Sequence, residues 1–108
     1  MGKFKAMYDG EANSLVVYNE GRKAYASIRL GEIIVSLDSN YHVSAVEILN
    51  PDLLYRIDKQ KLSSISSAAI QIQQRGPVIW IYVMLFFAGS EKPETLPVQL
   101  QLERPICV

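Results

Sequence analysis

Residues 77–89 read PVIWIYVMLFFAG. From Val78 to Ala88 there is no charged and no strongly polar side chain. Three structures suit such a run: a membrane-spanning helix, a buried helix, or a strand covered on both faces. A spanning helix needs about 20 predominantly apolar residues. Here Arg75, Gly76 and Pro77 stop the run on one side, and Gly89, Ser90, Glu91 and Lys92 stop it on the other. The stretch is too short to span as a helix. Its Val, Ile, Trp, Tyr and Phe content favours a strand, because such side chains fit a pleated, half-buried surface.

The flanks agree. Ile70 and Ile72 alternate with Gln71 and Gln73 before the run. Val98, Leu100 and Leu102 alternate with Gln99, Gln101 and Glu103 after it. Alternation marks strands with one wet face. Gly76–Pro77 and GSEKPE (89–94) punctuate the connections. Residues 66–103 therefore read as three antiparallel strands with the opening stretch in the middle.

Residues 3–49 read as an N-terminal β meander. KFKAMY (3–8), SLVVY (14–18), YASIRL (25–30), EIIVSLD (32–38) and HVSAVEIL (42–49) are short strand-like runs. DGEAN (9–13), NEGR (19–22) and DSNY (38–41) supply the turns. Gly31 is expected to bend one long run rather than end it. The helix candidate is NPDLLYRIDKQKLSS (50–64), predicted over 50–63. Asn50 suits an N-cap and Pro51 the first helical position. Leu54, Ile57 and Leu62, with Leu53 beside them, form its apolar stripe.

The expected fold is a single, mainly β domain over 1–108. It has about eight antiparallel strands in two groups and one helix covering a sheet face, either sandwich-like or as one strongly curved sheet. A strand apolar on both faces needs a second cover, which predicts a homodimer that also hides sheet edges.

Composition narrows the function. The chain has 108 residues, 49% hydrophobic and 20% charged, with 11 basic and 11 acidic side chains and zero formal net charge. Nucleic-acid binding by bulk electrostatics needs a basic surface, and no cluster exceeds Arg22–Lys23. Cys107 is the one cysteine, which excludes an internal disulfide. The N-terminus lacks the apolar core of a secretory leader. The expectation is a soluble cytoplasmic protein, bound to neither membrane nor nucleic acid.

YDGEANSLVVY (8–18) followed by GEIIVSLDSNYHVSAVEIL (31–49) resembles a short uncharacterised prokaryotic family, domain-of-unknown-function family 2283. The matching positions include Tyr8, Asp9, Glu11, Ala12, Leu15, Asp38 and Val46 to Leu49. Asn13 stands where that family usually has Asp, DSNY replaces a Gly-containing turn, and Ala45 replaces a Gly. The resemblance covers the first half of the chain and implies a shared fold. Some such small proteins look like the neutralising half of a toxin–antitoxin pair, so a protein partner is a further expectation.

Few residues point to chemistry. His42 is the one histidine, and Asp38, Ser39 and Ser44 near it are ordinary turn and strand-edge residues. One His and one Cys do not make a familiar metal site, and no Gly-rich phosphate loop occurs. No cofactor is implied. Glu47 sits on a partly apolar strand face, where it is either exposed or paired with a base such as Arg29. Trp80, Tyr82 and Phe86 share one face of the middle strand. The candidate ligand-binding residues are therefore Trp80, Tyr82, Glu47 and His42, around an aromatic-lined pocket between sheets. A non-enzymatic interaction or structural protein ranks first, a small-ligand binder second, and an enzyme using Glu47 or His42 third.

Overall fold

In the computed structural model, residues 4–101 are described; Cys107 and the expected strand end at 102–103 lie outside them. Eight strands form one antiparallel sheet curled into a half-barrel. They are β1 (Phe4–Asp9), β2 (Ser14–Asn19), β3 (Ala26–Leu30), β4 (Ile33–Leu37), β5 (Val43–Leu49), β6 (Ile65–Arg75), β7 (Val78–Phe87) and β8 (Glu94–Gln101). The spatial order is β3-β4-β5-β2-β1-β6-β7-β8. The strongly curved sheet is thus the form the fold takes.

Its C-terminal third follows the sequence pattern. β7 lies between β6 and β8, with Ile72 and Val98 both opposite Ile81. Ile81, Val83, Leu85 and Phe87 are buried on the inner face, while Trp80, Tyr82, Met84 and Phe86 are half-buried on the outer one. Within one chain, then, β7 has one dry face and one partly wet face. Gly76 and Pro77 make the two-residue β6–β7 loop, with Gly76 at φ 59°. Glycine at the first central position is what this tight hairpin turn requires.

The N-terminal strands depart from a simple meander. β2 pairs with β5, not β3, and β3-β4-β5 follow as consecutive hairpins. This is a Greek-key-like arrangement: NEGR starts a crossover to the sheet edge, not a hairpin. Gly31, at φ 58°, ends β3 rather than bending it, since Leu30 pairs with Ile33 across a tight turn. A bulge at the β4–β5 pairing skips Ser44, so Val43 and Ser44 are both buried.

The expected single helix is two short ones, α1 (Pro51–Tyr55) and α2 (Lys59–Leu62). Arg56 adopts a left-handed conformation, φ 56°, and ends α1; Asp58 then caps α2 by accepting from the Gln60 amide at 2.9 Å. The break delivers Ile57 and Leu62 to the core but leaves Leu53 76% exposed and Leu54 exposed as well. Asn50 is itself left-handed and makes no side-chain cap. Its amide donates instead to Glu32 at 3.1 Å, and its Oδ1 accepts from Asn13 at 3.2 Å.

The helical segment closes one end of the half-barrel. Ala88 donates its amide to Ser64 O at 2.9 Å, Lys61 Nζ lies 4.9 Å from the Phe87 ring centre, and Tyr55 Oη donates to Pro97 O at 3.0 Å. Leu15, Val17, Val35, Val46 and Ile48 meet Ile81, Val83 and Leu85 inside, each with 0% exposure. Burial of this completeness stabilises the fold by roughly 1.5–3 kcal/mol per side chain. Among the described residues no helix is long and apolar enough to cross a membrane.

Candidate functional site

At the end of the half-barrel opposite the helices, the curled sheet does not close on itself. A cavity of about 670 Å3 opens there. Its apolar lining comes from both arms of the sheet: Ile28 of β3 and Leu37 of β4 on one side, Ile70 of β6, Ile79 of β7 and Leu100 of β8 on the other, with Phe4 of β1 between. The alternation that buries Ile81 and Val83 nearer the helices brings Ile79 to the cavity on the same face. Ile72, across from Ile81, also lines the cavity and stays 48% exposed. An apolar wall left this open to water is the feature expected of a binding cleft rather than of a core.

Polar groups gather on the N-terminal arm. Arg22, in the β2–β3 connection, is half-buried and donates from Nη1 to Val43 O at 2.9 Å. Tyr41 and His42, in the turn before β5, stand at the mouth. Tyr41 is 56% exposed and held at φ 64°, a conformation a bulky residue seldom adopts. The turn is organised by Asp38, whose Oδ1 accepts from the amides of Asn40 and His42, each at 2.9 Å. The His42 amide, ahead of the other contributors, holds the Asp38 carboxyl below the usual value. His42 Nδ1 lies 3.8 Å from Asp38 Oδ2, beyond hydrogen-bond length. Asn19 and Ser44 are buried beside this arm, and among the described residues Asn19 Nδ2 and Ser44 Oγ have no hydrogen-bond partner.

Of the four residues singled out from the sequence, the structure brings His42 to the cavity. Trp80 and Tyr82 stack on the outer face of β7, ring centres 6.2 Å apart and planes 11° from parallel. Since there is one sheet, no inter-sheet pocket forms around them. Glu47 also faces outward, between Ile34 of β4 and Val16 of β2. It is not paired with Arg29, which lies beyond Ile34 in the same row and donates from Nε to Gly31 O at 3.1 Å. Arg22, Tyr41 and the isoleucine wall were not singled out. The signal for the wall was present: Ile70, Ile72, Ile79 and Ile81 share one face once the Gly76–Pro77 turn fixes the register. Among the described residues no three His, Cys, Asp or Glu side chains group as a metal site.

The first stretch of the sequence that resembles family 2283, residues 8–13, makes turn and hairpin bonds. Asp9 Oδ1 accepts from the amides of Glu11 and Ala12, at 3.0 and 3.2 Å, and so shapes the β1–β2 turn. Tyr8 Oη donates to Asn13 Oδ1 at 2.7 Å, and Asn13 Nδ2 donates to Asp52 at 2.8 Å. These bonds tie the first hairpin to the start of α1, remote from the cavity.

Compared with known proteins, the chain matches no family model and no solved structure. It is similar to an uncharacterized protein of Methanocaldococcus jannaschii, 40% identical over 60 residues, which is 56% of this chain. The chain spans about half, 52%, of the length of that curated relative.

Proposed function

We propose that the protein is a non-catalytic binding protein that takes an apolar small molecule into the open end of its half-barrel. The observation that carries this reading is the cavity of about 670 Å3 walled by Ile28, Leu37, Ile70, Ile79 and Leu100. Its size lies within the roughly 300–1,000 Å3 of small-molecule sites, and its few polar groups sit at one side, the pattern that orients a ligand. The ligand-binding role considered for His42 is retained at the mouth. Trp80 and Tyr82 belong to the outer face and to the second reading below; Glu47 faces outward on β5 and belongs to neither reading.

The test is titration with the neutral fluorescent probe N-phenyl-naphthylamine. Saturable binding at one per chain is expected, with the blue-shifted emission of an apolar site. Ile72→Glu puts a charge on the exposed cavity wall without emptying the core, so it should abolish binding while leaving the thermal transition in place. Absence of saturable binding to the unaltered protein would overturn the reading.

A second reading rests on a different surface. The outer face of β6-β7-β8 carries Gln71, Gln73, Trp80, Tyr82, Met84, Phe86, Pro97 and Gln99, and no charged side chain until Arg75 at its end. In a chain that is 20% charged, such depletion supports a contact surface, here between two copies of the chain. A role as an interaction protein, including a toxin-neutralising one, would use this face. No family model matches the chain, so the resemblance to family 2283 adds no activity.

A further inference from the structure

We infer that the occupant of the cavity is a linear amphipathic monocarboxylate, a fatty-acid-like chain with its tail between Ile28, Leu37, Ile79 and Leu100 and its carboxylate on Arg22. This rests on the cavity reading above and adds the chemistry of the head group. Three observations converge on it.

The first is Arg22. A half-buried guanidinium lines an otherwise apolar cavity and spends one donor on Val43 O. It has five donors in a planar fork that matches a carboxylate, and a charge beside apolar walls is costly unless paired. Among the described residues, no carboxylate lies within ion-pair distance of it. Asp38 is engaged first by the His42 and Asn40 amides, feels the Arg22 charge as one of the lesser causes of its lowered pKa, and forms no ion pair with Arg22. No Asp or Glu lines the cavity, so a cationic head would find no partner there.

The second is the pair of orphaned donors behind the same arm. Asn19 is 5% and Ser44 2% exposed, yet among the described residues Asn19 Nδ2 and Ser44 Oγ find no hydrogen-bond partner. Asn19 follows Leu15 and Val17 on the inner side of β2 and lies across from the cavity-lining Phe4. Ser44 follows the cavity-lining Val43 at the bulge. Buried donors without acceptors are rare in folded proteins, and each asks for an explanation. Neither side chain lines the cavity itself; among the described residues both leave hydrogen-bonding capacity unused on the arm that carries Arg22 and Val43.

The third is Tyr41, held at positive φ at the mouth, next to His42. Strained residues persist where the surroundings over-determine them, and they cluster at active sites, ligand clamps and switch regions. Tyr41 lines the cavity together with His42 and Arg22.

The experiment is calorimetric titration of the whole chain with laurate, methyl laurate and dodecan-1-ol, each below its aggregation limit. Laurate should bind at one per chain and at least about tenfold more tightly than the two neutral molecules, the margin expected of a charge-assisted pair. Arg22→Gln should lower laurate affinity about tenfold or more, and a distinctly smaller loss for methyl laurate and dodecan-1-ol assigns the difference to the charged head group. Equal affinities for all three on the unaltered protein overturn the head-group inference and leave the cavity reading standing. Binding of none of them overturns both. The comparison on the unaltered protein decides the matter even if Arg22→Gln fails to fold.

Discussion

Asn13 shows how much a single turn residue can organise. It holds φ 50°, accepts from Tyr8 and donates to both Asn50 and Asp52. Asparagine tolerates the left-handed region, where alanine is penalised by about 1–2 kcal/mol. Asn13→Ala should therefore lower stability by at least that amount in denaturant unfolding. Asn13→Gly should recover the backbone share and leave only the loss of the side-chain bonds. The same residue has a signature in acid. The Asn13 amide is the largest cause of the lowered Asp52 pKa, as the His42 amide is for Asp38; both lie below the ordinary 3.8. A carboxyl that ionises more readily when folded stabilises the fold above its unfolded pKa, and the contribution is lost as pH falls through the lowered folded value. Stability from both groups is thus complete well above 3.8 and drains away below it. Carboxyl NMR titration should give both midpoints below 3.8, and in Asn13→Ala the Asp52 midpoint should rise while Asp38 stays put. A fixed Asp52 midpoint in that variant would assign its shift to another cause.

At the scale of elements, β7 separates two environments one residue apart. Leu85 has 0% exposure on the inner face; Met84 is half-buried on the outer. Leu85→Ala should cost about 2–5 kcal/mol, the range for cavity-forming core substitutions. Met84→Ala should cost under about 1 kcal/mol at concentrations where the chain is monomeric. Gly76→Ala should cost about 1–2 kcal/mol, since alanine must take the positive φ of the two-residue turn. Chemical unfolding of the three variants checks the order. The strands β6 to β8 were legible because they pair with their neighbours in sequence, and alternation plus the Gly76–Pro77 turn sets their register. The N-terminal order was not legible. Tyr18 pairs with Ala45 across the whole β3–β4 hairpin, and nothing local to either strand names the other. The helix divided for a similar reason. Helical spacing predicts a stripe from Leu54 to Leu62, yet placing Ile57 in the core required a left-handed turn at Arg56. For the site, the sequence told which isoleucines share a face. Which face lines a cavity depends on the curl that brings β3 to β5 over β6 to β8.

On the scale of the whole molecule, one sheet divides its labour between two sides. The inner side is core at the helical end and cavity at the other. The outer side of β6-β7-β8 is aromatic and free of charge across the rows centred on Trp80, Tyr82, Met84 and Phe86. Two copies meeting there about a two-fold axis bring no like charges together, and large aromatics are enriched in such contacts. Because the two sides are opposite faces of the same strands, they are separable by mutation. Light scattering at tens of micromolar should give about twice the chain mass of 12.1 kDa. Trp80→Lys places a charge at the centre of the outer face without entering the core, so it should return the mass to 12.1 kDa and preserve the thermal transition of the isolated chain. It should also leave N-phenyl-naphthylamine binding intact, since Trp80 points away from the cavity. Conversely, Ile72→Glu should abolish that binding and leave the dimer mass unchanged. A mass of 12.1 kDa for the unaltered protein at every concentration would remove the dimer and leave the stacked Trp80–Tyr82 pair free to meet a different partner.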